Sequence, residues 1–399
     1  MSEAPPLSAD QLAQLNARLQ RLRTPASASA AATTTAAASP APSQAPAPAG
    51  LPRLGVIFFS GLTGDLPPYE LLLDVARYAD QAGFHAIWTP ERHFTEVGGA
   101  YPNPAVLAAA LATVTRHVRL RAGSINLPLH DPLRVAEEWA VVDQLSQGRV
   151  DLSVAPGWHI RDFVLKPENF QKRFDLLNQY REQLQQAWRG EPLRREDAAG
   201  GWHDIVTYPR PVQATLPLWL TTSQREEAWA FAGRQGLHVL TALINFGPQD
   251  LERRIAIYRE ARRAAGHDPA AGTVSLMLHT YVDQQAEQAV ERVRPAMTEY
   301  LRSFVTQHQT AGQAEAGDKA RTLQTLGKDE DAFIEMVFDR YVATSSLIGD
   351  VRQATERLQD FARMGVDEVA CLVDFGLDKS QVLDSLQRLS ALNPRKPAA

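Results

Sequence analysis

Eight apolar runs of strand length alternate with helical stretches of one-sided hydrophobicity from Leu54 to Leu392. The runs are Leu54–Ser60, Ala86–Pro90, Val118–Ser124, Val150–Ala155, Leu218–Thr222, His238–Leu243, Val274–Thr280 and Glu368–Val373. Between them, apolar positions recurring every three or four residues predict helices over Tyr69–Gln81, Pro104–Arg116, Leu133–Gln144, Phe170–Trp188, Arg225–Gln235, Asp250–Ala265, Glu287–Val305 and Val351–Met364. Several close on glycine, at Gly83, Gly236 and Gly365, where a left-handed residue turns the chain into the next strand. A strand followed by a helix, repeated eight times, predicts an α/β protein with a (β/α)8 TIM barrel, whose site lies at the C-terminal ends of the strands.

Two connections are too long for simple barrel loops. The stretch of about 191–217 reads as a hairpin, and that of about 306–348, rich in polar residues, is a candidate cover for the barrel mouth. Ahead of the barrel, Thr24 to Gly50 is almost wholly Ala, Ser, Thr and Pro, which cannot bury enough apolar surface to fold and predicts a disordered, extended tether. Before that, Leu12, Leu15, Leu19 and Leu22 follow Ser8, a candidate N-cap, at helical spacing and offer an apolar seam for local packing or docking. The expected organisation is a docking helix in 1–23, a linker in 24–50 and the barrel in 51–393.

Composition narrows the function classes. With 399 residues, 44% of them hydrophobic, the chain has ample material for one large core. A net charge of −5 and dispersed Lys and Arg give no sign of a nucleic-acid or membrane surface. Cys371 is the single cysteine, so no disulfide forms within the chain, and its apolar setting marks it as core. The N-terminus lacks a basic segment followed by an apolar stretch, so the expected location is cytoplasmic.

Chemistry-bearing residues collect just after the strand runs. Phe59 and Ser60 follow the first, and Glu91-Arg92-His93 follow the second, where they can bind an anion, relay a proton or form a surface ion pair. Gly123, Ser124 and Asn126 close the third with small residues where a bulky group can approach the backbone. Gly157-Trp158-His159 follow the fourth: a permissive turn, a pocket wall and a titratable ring. Thr222 and Ser223 precede a helix N-terminus, where hydroxyls and free amides cradle phosphate, although Ser223 also suits an N-cap. No GxGxxG follows the first strand, no histidine pair has metal spacing on one helix, and no serine elbow occurs. So sparse a catalytic set fits a cofactor that brings its own reactivity.

The run Ile87-Trp88-Thr89-Pro90-Glu91-Arg92-His93-Phe94, followed by Gly123-Ser124-Ile125-Asn126-Leu127-Pro128-Leu129-His130-Asp131-Pro132 and Gly157-Trp158-His159, resembles the bacterial luciferase-like flavin monooxygenases. Within them it is similar to the subgroup found in or beside nonribosomal peptide and polyketide synthases. The resemblance implies a barrel that holds reduced FMN, supplied by a separate flavin reductase, and a flavin hydroperoxide formed with O2. It puts a non-proline cis peptide at Gly123-Ser124 beneath the flavin ring. The phosphate falls at the Gly157-Trp158 turn and Thr222-Ser223, and Arg92 and His93 lie near the reactive edge. On this reading Glu91, Arg92 and His93 are catalytic, while Ser60, Gly123, Ser124, Asn126, Gly157, Trp158, Thr222 and Ser223 bind cofactor. Phe59 and His159 face substrate, and no metal is involved.

The chain also departs from the family. Pro156 replaces a serine usual in the subgroup, and Gln224-Arg225-Glu226 is unusually charged. Ala155 and Arg92 stand where luciferase itself has cysteine and histidine, so light emission is not implied. The expected activity is hydroxylation of a natural-product intermediate, an acyl or aminoacyl thioester on a carrier protein. Baeyer-Villiger insertion, a deazaflavin-dependent oxidoreductase and a non-catalytic flavin-binding protein are the alternatives. Candidate partners are the reductase, an acyl or peptidyl carrier protein and a second copy of the chain.

Overall fold

A computed structural model describes residues 50–61, 67–243, 246–312 and 330–393. The expected docking helix, and the tether as far as residue 49, lie outside the described residues. In chain order the strands are β1 (Arg53–Ile57), β2 (Ala86–Thr89), β3 (Arg119–Asn126), β4 (Val150–Ala155), β5 (Leu193–Glu196), β6 (Trp202–Ile205), β7 (Leu218–Thr221), β8 (His238–Ala242), β9 (Val274–Asp283), β10 (Leu347–Asp350) and β11 (Glu368–Leu372). The helices are α1 (Pro68–Gln81), α2 (Pro104–Val114), α3 (Pro132–Ser146), α4 (Arg173–Arg189), α5 (Glu226–Arg234), α6 (Pro248–Ala264), α7 (Ala286–Gly312), α8 (Glu330–Thr344), α9 (Val351–Arg363) and α10 (Lys379–Ser390).

Eight parallel strands close the barrel in the order β1, β2, β3, β4, β7, β8, β9, β11 and back to β1. Each of the eight apolar runs becomes one of these strands. They are apolar along their length because helices cover the outer face while the barrel interior covers the other, so β4 and β11 are buried at every residue. The glycines after α1, α5 and α9 take the left-handed backbone expected of them, with φ of 78°, 68° and 94°.

Inward-facing residues stack in layers. In the lower half, the Arg121 guanidinium donates to Asp151 at 2.6 Å and to Glu368 at 2.5 Å, and lies 4.7 and 4.6 Å from the rings of Trp88 and Trp219. This paired and stacked charge plugs the barrel below the mouth. Ser275 reaches Glu368 at 3.2 Å, so alternation along β9 turns Met277 and His279 to the same inward side. His279 therefore stands at the upper, C-terminal level.

The connection of about 191–217 contains the expected hairpin, β5 pairing antiparallel with β6 from Leu193↔Ile205 to Glu196↔Trp202. Three elements go beyond the sequence reading. The insertion after β9 carries α8 and a short ninth parallel strand, β10, which extends the sheet along the far end of β9 (Leu347↔Thr280 to Asp350↔Asp283). A final helix, α10, follows β11 and begins with a capping box between Asp378 and Gln381. Residues 313–329 of that insertion lie outside the described residues, so the expected cover is described only at α7, α8 and β10.

Candidate active site

Asp374, two residues beyond β11, anchors the chain leaving β1. Its carboxylate accepts from the amides of Phe59 at 3.0 Å and Gly61 at 2.7 Å and from the Tyr101 hydroxyl at 2.9 Å, while the Ser60 hydroxyl donates to its carbonyl. Burial pushes the Asp374 carboxyl up to about 6, against the lowering effect of those donors. Phe59 and Ser60 are thus fixed at the mouth by a residue more than 300 positions away. Asp374→Ala would leave three donors unsatisfied in or beside the core, each worth about 1–3 kcal/mol. A loss of about 3 kcal/mol or more in urea unfolding is the expected result, and a change below about 1 kcal/mol would show that the anchor is dispensable.

Glu91 ties β2 to β3. One carboxylate oxygen accepts from the Asn126 amide at 2.7 Å, and the other accepts from His93 Nε2 at 2.9 Å and His130 Nε2 at 2.6 Å. Burial works to raise its pKa, but the two histidine hydrogen bonds, the attraction of His130 and the Asn126 amide outweigh it and hold the carboxyl below the usual range. The Glu91 amide in turn donates to the Ser124 carbonyl at 3.1 Å. The three residues after β2 are therefore built into the mouth rather than into a surface ion pair.

Arg92 is 7% exposed, and its guanidinium lies 4.7 Å from the Phe59 ring and 5.9 Å from that of Trp158. That stack brings the exits of β1, β2 and β4 together. Asp162, in the 3-10 turn Ile160–Val164, approaches the same group. Burial lifts its carboxyl to about 6, with His93 and Arg92 pulling the other way. His159 is buried, its Nδ1 3.8 Å from Asp162 Oδ1.

At the end of β3 the Gly123-Ser124 peptide is cis, and the register against β4 shifts between Gly123 and Ile125. A Cβ on Gly123 would come within 3.0 Å of Trp88, so the backbone there has a rigid floor beneath it. Gly157 has φ +78°, and a Cβ would come 2.8 Å from Phe163; both facts call for glycine in this turn. Trp158 stays 41% exposed at the rim.

Thr222 and Ser223 are half-buried just before α5. Ser223 is not the N-cap: α5 begins at Glu226 behind Arg225, which makes no side-chain capping bond, and the Ser223 carbonyl accepts from Trp229 Nε1 at 2.8 Å. The amides of the first turn thus receive no cap from the Arg225 side chain.

Sequence reasoning missed several residues of this mouth. His130 stood inside a quoted motif without a role, and Asp162 and Asp374, which follow the fourth and eighth runs, were given none. His279 carried no signal beyond its strand. It lies under Tyr300, Tyr341 and Phe375, with Nδ1 2.9 Å from the Tyr341 hydroxyl and Nε2 buried without a partner among the described residues. Burial lowers its pKa to about 3, so the ring is neutral. Cys371 is buried and its thiol is pushed up to about 12 by that burial, as expected of a core residue. Among the described residues no group of three His, Cys, Asp or Glu is placed to hold a metal, and no helix is long and apolar enough to cross a membrane.

A family model described as luciferase-like monooxygenase matches residues 32–368. The oxygenase component of a flavin-dependent trigonelline monooxygenase from Acinetobacter baylyi is 25% identical over 334 residues, covering 83% of this chain and 89% of the relative. Among solved structures, the oxygenating constituent of the 3,6-diketocamphane monooxygenase of Pseudomonas putida, a type II Baeyer-Villiger monooxygenase in complex with FMN, superposes with a TM-score of 0.69. Identity is 18%, over 86% of this chain and 98% of that one. The coenzyme F420 dependent tetrahydromethanopterin reductase of Methanopyrus kandleri gives a TM-score of 0.63 at 17% identity, over 85% and 97%. These two likenesses establish the fold, and the family match establishes more: the chain belongs to the luciferase-like monooxygenase family and is an oxidoreductase.

Proposed function

We propose that the barrel mouth binds reduced FMN, delivered by a separate flavin reductase, and uses O2 to oxygenate a carrier-bound acyl or aminoacyl thioester. The observation that carries this reading is the convergence at one barrel end of a small-residue floor, Gly123-Ser124, with aromatic walls and His93 hydrogen-bonded to the buried Glu91. Reduced FMN, when bound, supplies the electrons that activate O2.

The residues fit such a group. Gly123 and Ser124 offer backbone over the Trp88 floor for a flat ring, and Ser60 and Asn126 border it. At the other end, the Thr222 and Ser223 hydroxyls, the Gly157-Trp158 turn and the first-turn amides of α5 suit a phosphate. Glu226 in that first turn is paired with Arg253 at 2.7 Å, which limits its repulsion of an anion. Arg92 and His93, braced by Glu91, stand where a proton is handed to oxygen. Phe59 and His159 face the substrate. Burial of Glu91, Arg92, Asn126 and His159 keeps water away from the reacting centre.

The relative from Acinetobacter is described as an oxygenase component, which supports a partner reductase. FMN in the Pseudomonas neighbour supports that flavin. The Methanopyrus neighbour supports the deazaflavin alternative, which transfers hydride without oxygen. The carrier-bound substrate rests on the Ala/Pro tether and its leucine seam. Mass spectrometry of acyl carriers incubated with reduced FMN and labelled O2 tests it: a gain of one labelled oxygen atom supports the reading, and an unchanged acyl group with every carrier tried removes it. Fragmentation separates hydroxylation from Baeyer-Villiger insertion.

Deleting Met1–Ala49 is expected to leave FMN binding and peroxide formation intact. Oxygenation of the carrier-bound substrate should slow by up to about 100-fold at low carrier concentration, through lost effective concentration. Unchanged carrier turnover would remove the case for docking. Lost FMN binding would place the segment in the barrel fold.

A further inference from the structure

Glu91 holds two histidines, and the second sits on the outer side of the barrel wall. His93 and His130 both place Nε2 against the same carboxylate oxygen, at 2.9 and 2.6 Å. A carboxylate oxygen only accepts, so both rings donate an N–H. The side chains grade outward: Glu91 is 1% exposed, His93 11% and His130 32%. His130 follows the short turn after β3, and with Glu91 and Glu138 it lines a small cleft between the β3 end, α2 and α3.

One carboxylate carries one negative charge. While His130 is protonated, much of that charge is already balanced, and His93 is held by the remainder. Once His130 loses its proton, the whole charge acts on His93. We propose that His130 is a positioning residue that sets how tightly His93 holds its proton, coupling proton delivery inside the mouth to a group open to solvent. This rests on the reading of His93 as a proton donor.

The other charges facing the trio are named by the electrostatics. Arg92 and Asp162 lie beside His93 and Glu91 from the β2 exit and the β4 turn, and Glu138 faces His130 from α3. Burial disfavours a charged His130, but its hydrogen bond and attraction to Glu91, with Glu138 behind it, raise it above the ordinary histidine range. Its protonated form therefore persists to higher pH than that of a free imidazole.

His130→Gln keeps a hydrogen-bond donor for Glu91 and removes the charge. The test follows the imidazole signals of labelled, flavin-free protein by NMR across pH, with the His93 signal assigned by its loss in His93→Ala. The His93 midpoint is expected to move up by about one pH unit in His130→Gln, the size of an interaction between charges at this spacing in a partly buried site. His130→Asn, a second neutral replacement that removes the same charge, should move it in the same direction and serves if His130→Gln does not fold. In the second arm, hydrogen peroxide release is measured across pH with reduced FMN and O2, and the profile should shift by the same amount. An unmoved midpoint in both variants overturns the inference. A moved midpoint with an unmoved peroxide profile supports the coupling and instead contradicts the role of His93 as proton donor.

Discussion

Replacing Ser124 with leucine is expected to weaken binding of reduced FMN by at least about 100-fold while leaving the barrel folded. Ser124 stands near the end of β3 as a small, partly exposed side chain beside a buried glycine. The wall behind it cannot recede: Trp88 lies 3.0 Å from where a Cβ on Gly123 would stand, and Trp88 is itself packed against Trp219 at 5.1 Å and against Arg121. With the flavin over Ser124, as proposed, a leucine there overlaps the flat ring, at a cost of about 3 kcal/mol, equivalent to about 100-fold in affinity. Stability should change little because the side chain at 124 is only partly buried. Fluorescence titration of FMN, reduced under anaerobic conditions, checks the affinity, and thermal unfolding checks the fold. Wild-type affinity in a folded variant would move the flavin away from β3.

His93→Ala should lower product formation by about 100- to 10,000-fold, the range of a positioned acid or base, and should raise the share of O2 lost as hydrogen peroxide. The residue is well placed for this: Glu91 fixes one ring nitrogen, and the ring approaches Asp162 and Arg92. His93→Gln separates the roles, since an amide still meets Glu91 but carries no proton to give. If both variants turn over at the wild-type rate with unchanged peroxide, the Glu91-His93 pair is a brace for the β2 exit and nothing more.

The barrel was legible because its strands are buried on both faces, and continuous apolar runs such as Val150–Ala155 have few other uses. Helix ends were legible where a glycine has to turn left-handed, as at Gly83 and Gly236. The short strand Leu347–Asp350 was not, because four residues directly between two helices carry no period, and its partner is the extended end of β9 rather than a barrel neighbour. At the mouth, Glu91, Arg92, His93, Gly123 and Gly157 were readable as a group because each stands at or just beyond the end of an apolar run. Asp374 follows the eighth run with no signal of its task, which is to receive the amides of Phe59 and Gly61 from the opposite end of the sequence. The same holds for His279, whose meaning depends on Tyr300 arriving from α7 and Tyr341 from the long insertion. The reading of Ser223 as an N-cap failed because α5 starts three residues later, behind an arginine.

The central question is whether this mouth uses reduced FMN with oxygen. The direct measurement is an anaerobic titration of the purified protein with reduced FMN and, separately, with reduced deazaflavin, each complex then mixed with oxygenated buffer while flavin absorbance and O2 consumption are followed. One-to-one binding of reduced FMN, followed by O2 consumption matched to flavin oxidation, is the predicted result. Binding of the reduced deazaflavin with no affinity for reduced FMN and no O2 consumption would contradict it.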